Sequence, residues 1–195
     1  MHWTKPLALA AGLAFWAGAW AQPVTYELDP SHTYPSFEAD HMGGLSTWRG
    51  KFNRTSGTLV LDRQARSGTL DITVDIASVD FGHDEMNKHA VAEDILNAAK
   101  YPSATFKGRF DEFEGDVPRT AVGEFTLKGV TRPLTLQIEQ FKCLDKHPML
   151  DVPVCGADVS AEFDRGDYGV DFALDKGFRP EVRLRIQVEA LGKQG

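Results

Sequence analysis

The side chains whose types could do chemistry are few. The first group is His83-Asp84-Glu85 with His89 a short way on. Imidazoles and carboxylates are suitable metal ligands, but their spacing matches no metal-binding motif. Ser31-His32 with nearby aspartates has the ingredients of a hydrolase, yet the chain has no Gly-x-Ser-x-Gly elbow to present a nucleophile. Cys143 and Cys155 are the only cysteines. Their spacing is not that of a Cys-x-x-Cys redox pair, Cys-x-x-Cys-His is absent so no haem is attached through it, and His147 beside them does not complete a zinc set. The chain reads as a non-enzyme with no metal or organic cofactor. The two cysteines read as a disulfide in an exported protein.

Export is read from the N-terminus. Met1 to Pro6 carries Lys5 and no acid, Leu7 to Trp20 is apolar or small, and Ala19-Trp20-Ala21 before Gln22 supplies an A-x-A cleavage site. The apolar run is short for the roughly 20 residues that span a bilayer. Residues 1–21 are therefore expected to be a secretory signal and residues 22–195 one mature domain, placed in the periplasm. The formal charge of −7 becomes more negative once Lys5 is removed, which disfavours nucleic acid as a partner. Of four tryptophans, Trp48 alone lies outside the signal.

The elements that must position any site are strands. Gly123 to Gln140 is the clearest pair: Gly123, Phe125 and Leu127 alternate with polar residues, and so do Leu134, Leu136 and Ile138. A period of two puts one set on each face. The joint is read as Gly129 to Pro133, with Pro133 opening the second strand. The same alternation marks 24–29, 36–42, 47–52, 58–62, 69–76, 104–111, 157–164 and 182–190, while Gly115 to Pro118 reads as a turn. The segment 83–100 differs, being rich in Ala, Glu, Asn and Lys. One or two helical turns are expected near Asn87 to Ala98, ended by Tyr101-Pro102. Eight or nine antiparallel strands make a barrel or a sandwich, and periodicity does not choose between them.

A set of short motifs, in order, resembles the YceI-like family of exported, polyisoprenoid-binding proteins. They are Tyr26-Glu-Leu-Asp-Pro-Ser-His32, His41-Met-Gly-Gly, Arg49-Gly-Lys-Phe52, Ile76-Ala-Ser-Val-Asp80, Lys100-Tyr-Pro-Ser-Ala-Thr-Phe106, Gly123 to Pro133, Cys155-Gly-Ala-Asp158 and Arg165-Gly-Asp-Tyr-Gly169. The resemblance covers about residues 24–191. It implies an all-β fold: an extended eight-stranded antiparallel, lipocalin-like β-barrel with one short helical insertion. It also implies a lumen holding a long-chain amphiphile (a polyisoprenoid, an isoprenoid quinone or a similar lipid) for transport, storage or sequestration. Relatives carry larger apolar side chains where this sequence has Ala90, Ile95 and Leu96, which bears on the shape of the lumen.

Phe37, His41, Trp48, Phe52, Ile72, Val74, Phe106, Phe110, Phe125, Leu136 and Ile138 are the expected lining, with Phe81 and Met86 beside the mouth. Arg49, Asp84, Asn87 and His89 are the expected headgroup contacts. Transient membrane contact and an edge-to-edge homodimer are compatible with this reading. The competing readings are a small hydrolase and an interaction or electron-transport-associated protein that carries no lipid.

Overall fold

The structure is a computed structural model, and it describes residues 22–193. The expected signal at residues 1–21 lies outside the described residues. Alternation produces strands where it was expected: β1 (Val24–Leu28), β2 (Tyr34–His41), β3 (Ser46–Phe52), β4 (Thr55–Asp62), β5 (Ser67–Asp75), β7 (Ser103–Phe110), β10 (Thr120–Leu127), β11 (Val130–Leu144), β12 (Val154–Asp164) and β13 (Glu181–Gly192); the two-residue β6 (Val79–Asp80) was not expected. Residues read as the turn before Thr120 instead form part of a two-stranded hairpin, β8 (Phe113–Glu114) with β9 (Val117–Pro118).

The sheet closes. Its ring runs β1–β4–β5–β7–β10–β11–β12–β13 and returns to β1, an eight-stranded antiparallel barrel. Closure is made by Tyr26↔Gly192, Glu27↔Leu191 and Leu28↔Ala190. These pairs remove the free edge that an open sandwich would leave.

Two courses of the barrel are broken midway. After β1, Pro30 lacks an N–H, and the Asp29 carboxylate accepts the Ser31 N–H at 2.8 Å, forming a local turn. The chain then resumes as β2, still alongside β13 (Gln187↔Tyr34 to Val182↔Ala39). The companion break separates β3 from β4. There the Asn53 and Arg54 N–H groups donate to the Ser78 carbonyl (3.0 Å) and hydroxyl (3.0 Å) instead of a ladder partner. β3 meets β6 through only Lys51↔Asp80 and Phe52↔Val79. Beyond those pairs the wall beside β3 is taken by side chains of the segment that follows β6.

That segment holds the one α-helix among the described residues, α1 (Asp84–Ala90), earlier and shorter than the expected 87–98. His83 caps it, its ring accepting the Met86 N–H at 3.3 Å. Val91, Ile95 and Leu96 keep a helical spacing but sit in turns. Leu96 N–H donates to the Ala90 carbonyl, Ala98 N–H donates to Val91, and Asn97 takes φ 48°. The apolar side chains of Ile95 and Leu96 are spent on the core with Ile76, Ala104 and Leu127, not on prolonging a helix.

The turn between β10 and β11 is also tighter than expected. It is Lys128-Gly129, both with positive φ (50° and 78°), and β11 starts at Val130, so Pro133 lies inside the strand opposite Glu124. Positive φ at both central residues matches the right-handed twist of a hairpin. β11 runs past Gln140 to Leu144, and β12 begins at Val154, earlier than Ala157. The extension sets Cys143 directly opposite Cys155, and the two form a disulfide with Cα atoms 4.0 Å apart. Among the described residues no helix is long and apolar enough to cross a membrane.

Candidate ligand-binding cavity

The inward faces of the strands do not meet. They enclose an elongated cavity of about 460 Å³, within the range of ligand sites. One end is plugged. Tyr26 and Leu61 are buried there, Phe113 packs edge-on against Phe110 (6.4 Å), and Pro118 is fully buried. The other end is bordered by the loop after β2, the α1 segment and the loop between β12 and β13.

Every apolar or aromatic residue expected in the lining borders this cavity. Ile72, Val74, Phe106, Phe110, Phe125, Leu136 and Ile138 form the lower and middle wall, on β5, β7, β10 and β11. Phe37, His41, Trp48, Phe52, Phe81 and Met86 lie toward the mouth. There the rings interlock. Phe37 meets Phe52 (5.6 Å) and Phe81 (5.4 Å), Trp48 meets Phe81 (5.8 Å), and His41 lies between Trp48 (5.3 Å) and Phe178 (5.6 Å). Gly50 permits this packing, since a Cβ there would come within 2.7 Å of the Phe37 ring.

The polar residues divide differently. His89 borders the cavity, its ring edge-on to Phe172 (5.1 Å) and its Nε2 3.2 Å from Asp94. Arg49, Asp84 and Asn87 do not border it. Arg49 has the opposite parity to Trp48 and Gly50 on β3, so it points outward and donates to Glu38 at 2.8 Å. Asp84 is exposed in the first turn of α1. Asn87 is a positioning residue. Its Oδ1 accepts the Phe81 N–H (2.7 Å) and its Nδ2 donates to Asp80 (3.2 Å), which fixes Phe81 against Trp48. The Asp80 carboxyl is held below its ordinary range, first by the Gly82 N–H and then by Asn53 and Asn87.

Other lining residues were not singled out in the sequence. Leu184, Ile186 and Val188 carry a clear alternation on β13 and were legible as an inward face. Phe141 was not legible. A bulge between Ile138 and Gln140 shifts the parity of β11, so that Phe141 follows Ile138 into the lumen. Arg165 is the cation in the lining. It donates to the Val170 carbonyl at 2.7 Å, burial lowers its pKa, and Asp164, Asp171 and Asp40 oppose that shift. Phe172 and Phe178 come from an irregular loop with no periodicity to read.

Of the groups that suggested chemistry, His83 and His89 serve as a helix cap and a cavity edge. Asp29, His32 and Glu189 do gather, with ligand-type atoms within 4.8 Å of one another, but on the outside of the barrel. His32 Nδ1 lies 2.7 Å from Asp29 Oδ2. The hydrogen bond between them raises the imidazole pKa above 6.5 and, on the other partner, lowers the carboxyl below 3.8. Below 6.5 the raised imidazole contributes fully, and that contribution is lost as pH rises through its folded value. Above 3.8 the lowered carboxyl contributes fully, and that is lost as pH falls through its folded value. The pair therefore ties β1 to β2 best between those ordinary values. An NMR titration is expected to place the His32 midpoint above 6.5 and to bring it back toward 6.5 in Asp29→Asn; an unchanged midpoint in the variant would refute the pairing.

An eight-stranded antiparallel barrel with an apolar, one-ended lumen defines a class of proteins that enclose a small or elongated ligand. Within it, a YceI-like domain model matches residues 26–190, and the chain belongs to the YceI-like family. It is 36% identical over 130 residues to protein YceI of Escherichia coli, covering 65% of this chain and 66% of that one, just under two thirds of its length. It is 31% identical over 187 residues to a UPF0312 protein of Pseudomonas aeruginosa, covering 94% and 95%. Two crystal or solved structures share the fold at low identity. BcnA of Burkholderia cenocepacia has TM-score 0.65 and 20% identity over 83% of this chain and 98% of that one. A polyisoprenoid binding domain from Saccharophagus degradans has TM-score 0.59 and 14% identity over 87% and 99%.

Proposed function

We propose that this protein holds a long-chain amphiphile (a polyisoprenoid, an isoprenoid quinone or a similar lipid) in its lumen, and carries, stores or sequesters it in the periplasm. The carrying observation is the cavity itself: about 460 Å³ with walls that are apolar almost throughout. A lipid tail of roughly 15 methylenes sets the scale of the gain. At about 0.8 kcal/mol each, their burial nominally gives on the order of 10 kcal/mol before the chain is frozen. A bilayer offers the same chain nearly the same surroundings, so uptake and release are close to balanced, as a carrier needs. The binding role of the lining side chains, and of His89 at the mouth, is part of this reading. The N-terminal signal pattern and the disulfide support an oxidising compartment outside the cytoplasm.

The mouth also suits a membrane surface. Met42 and Leu45, 56% and 74% exposed, cap the β2–β3 loop. This loop follows directly on His41 of the lining and abuts Gly177 beside Phe178. Apolar side chains continuous with an apolar lumen would let a lipid pass without crossing water.

Organic extraction of the exported protein, followed by mass spectrometry, is expected to release a long-chain lipid in near-equal amount. In delipidated protein, a polyprenyl quinone is expected to change the emission of Trp48. No extracted lipid together with no emission change at saturation would overturn the carrier reading.

A further inference from the structure

We infer that the lumen receives a polar oxygen as well as hydrocarbon, and that Thr55 is the residue that hydrogen-bonds it. The inference rests on the lipid-carrier reading. Among the described residues, the buried polar side chains are Thr33, Thr55, Ser78 and Thr120. Three are satisfied from within. Thr33 Oγ1 donates to the Glu189 carbonyl at 3.0 Å. Ser78 Oγ donates to the Asp75 carbonyl at 2.7 Å and accepts the Arg54 N–H. Thr120 Oγ1 accepts the Glu112 N–H at 3.0 Å. Thr55 is 5% exposed, and its Oγ1 has no hydrogen-bond partner among the described residues.

Thr55 is also on the cavity wall. It opens β4 opposite Val74 of β5, which lines the same wall. Nothing in strand geometry asks for a hydroxyl here. Valine has the same shape and comparable strand propensity, and in an apolar wall it would leave no unmet donor or acceptor. Thr55 borders the ligand space while its hydroxyl stands enclosed and unpaired in the wall; a turn about χ1 frees that hydroxyl, and the ligand is then its natural partner.

Its depth says where the ligand's oxygen sits. The 7 residues of β3 separate Thr55 from the mouth, and the rest of β4 separates it from the plugged end. The polar function is thus drawn about halfway down the barrel, with hydrocarbon below it and the aromatic collar of Phe37, Trp48 and Phe81 above. A carbonyl, ether or hydroxyl oxygen fits, since a threonine hydroxyl both donates and accepts. An ionised group does not, because Arg165, the one Lys or Arg lining the cavity among the described residues, is at the mouth end, where β12 stops.

The test compares pentadecan-8-one with pentadecane, two chains of one length that differ in a carbonyl. Each competes with a quenching lipid followed through Trp48, in the wild type and in Thr55→Val. Thr55→Val is expected to weaken the ketone about fivefold to tenfold and to leave the alkane unchanged or slightly tighter. Taking the ratio for each probe cancels their different solvation in water. A change by the same factor for both would overturn the inference and leave the carrier reading standing. Binding of neither probe by the wild type would overturn both. Ligand-free Thr55→Val is further expected to melt no lower than wild type, since it loses only an unmet hydroxyl. A clearly lower melting temperature would mean that a water already satisfies Thr55, and would overturn the inference.

Discussion

Ala157→Phe is expected to weaken the binding of a long-chain lipid by about a thousandfold while the barrel stays folded. Ala157 lies on β12 between Phe141 of β11 and Val188 of β13, and all three border the cavity. It is half-buried, packed at the edge of the lower core and bordering the lumen. A phenyl ring placed there takes the space of about five methylenes. At about 0.8 kcal/mol each, a ligand that must vacate that space loses about 4 kcal/mol. Each 1.4 kcal/mol is tenfold in affinity. Overpacking a closed core costs stability, but a ring entering a void does not, so the melting temperature is expected to hold or rise slightly. Titration with a C16 probe and with a chain about half as long separates the cases. The long probe should lose far more than the short one. Equal, small losses for both would show that lipid binds somewhere other than this lumen.

Replacing both cysteines, Cys143→Ala with Cys155→Ala, is expected to lower the melting temperature by about 10 °C, and reductant should do the same to the wild type. The bond joins facing residues of β11 and β12 and closes a loop of sequence separation 12. In the chain-entropy model, a loop of that size contributes about 3 kcal/mol by restricting the unfolded chain. For a domain of this size each kcal/mol moves the melting temperature by about 2–4 °C. Cys155 is 4% exposed and packs in the lower core beside Ile138 and Ala190, so its sulfur also fills space that alanine leaves empty. The loop has structure of its own: His147 Nδ1 accepts the N–H groups of Met149 and Leu150, each at 3.1 Å. Part of it should survive reduction, which caps the loss. A melting temperature insensitive to reductant would sink the claim that the bond stabilises the barrel.

The two variants probe different layers of the same wall. Ala157 changes what the lumen can hold, and the disulfide changes how firmly two of its strands are joined. Neither needs a catalytic group, and no step of the proposed function asks for one.

Much of this was legible along the chain because a strand repeats every two residues. Leu70, Ile72 and Val74, or Leu134, Leu136 and Ile138, declare an inward face wherever they end up. Gly129 and Asp29-Pro30 likewise mark reversals through their own backbone chemistry, although the turn at Gly129 takes in Lys128 and not the residues up to Pro133. The motifs that place the chain in its family are local in the same sense.

What local pattern could not carry is everything that depends on distance across the barrel. Closure rests on Tyr26 meeting Gly192, residues at opposite ends of the fold, and no period records that contact. One bulge reverses the parity that would have kept Phe141 out of the lumen. Ile95 and Leu96 continue a helical spacing from Val91, yet their burial against Ile76 and Leu127 holds them in turns. Thr55 precedes the strand read from Thr58, and nothing in the sequence marks it as bordering a cavity. Alternation settles which side of the sheet a residue faces. Whether the space on that side is filled or empty is set by the radius at which the strands close, and only the folded barrel has a radius.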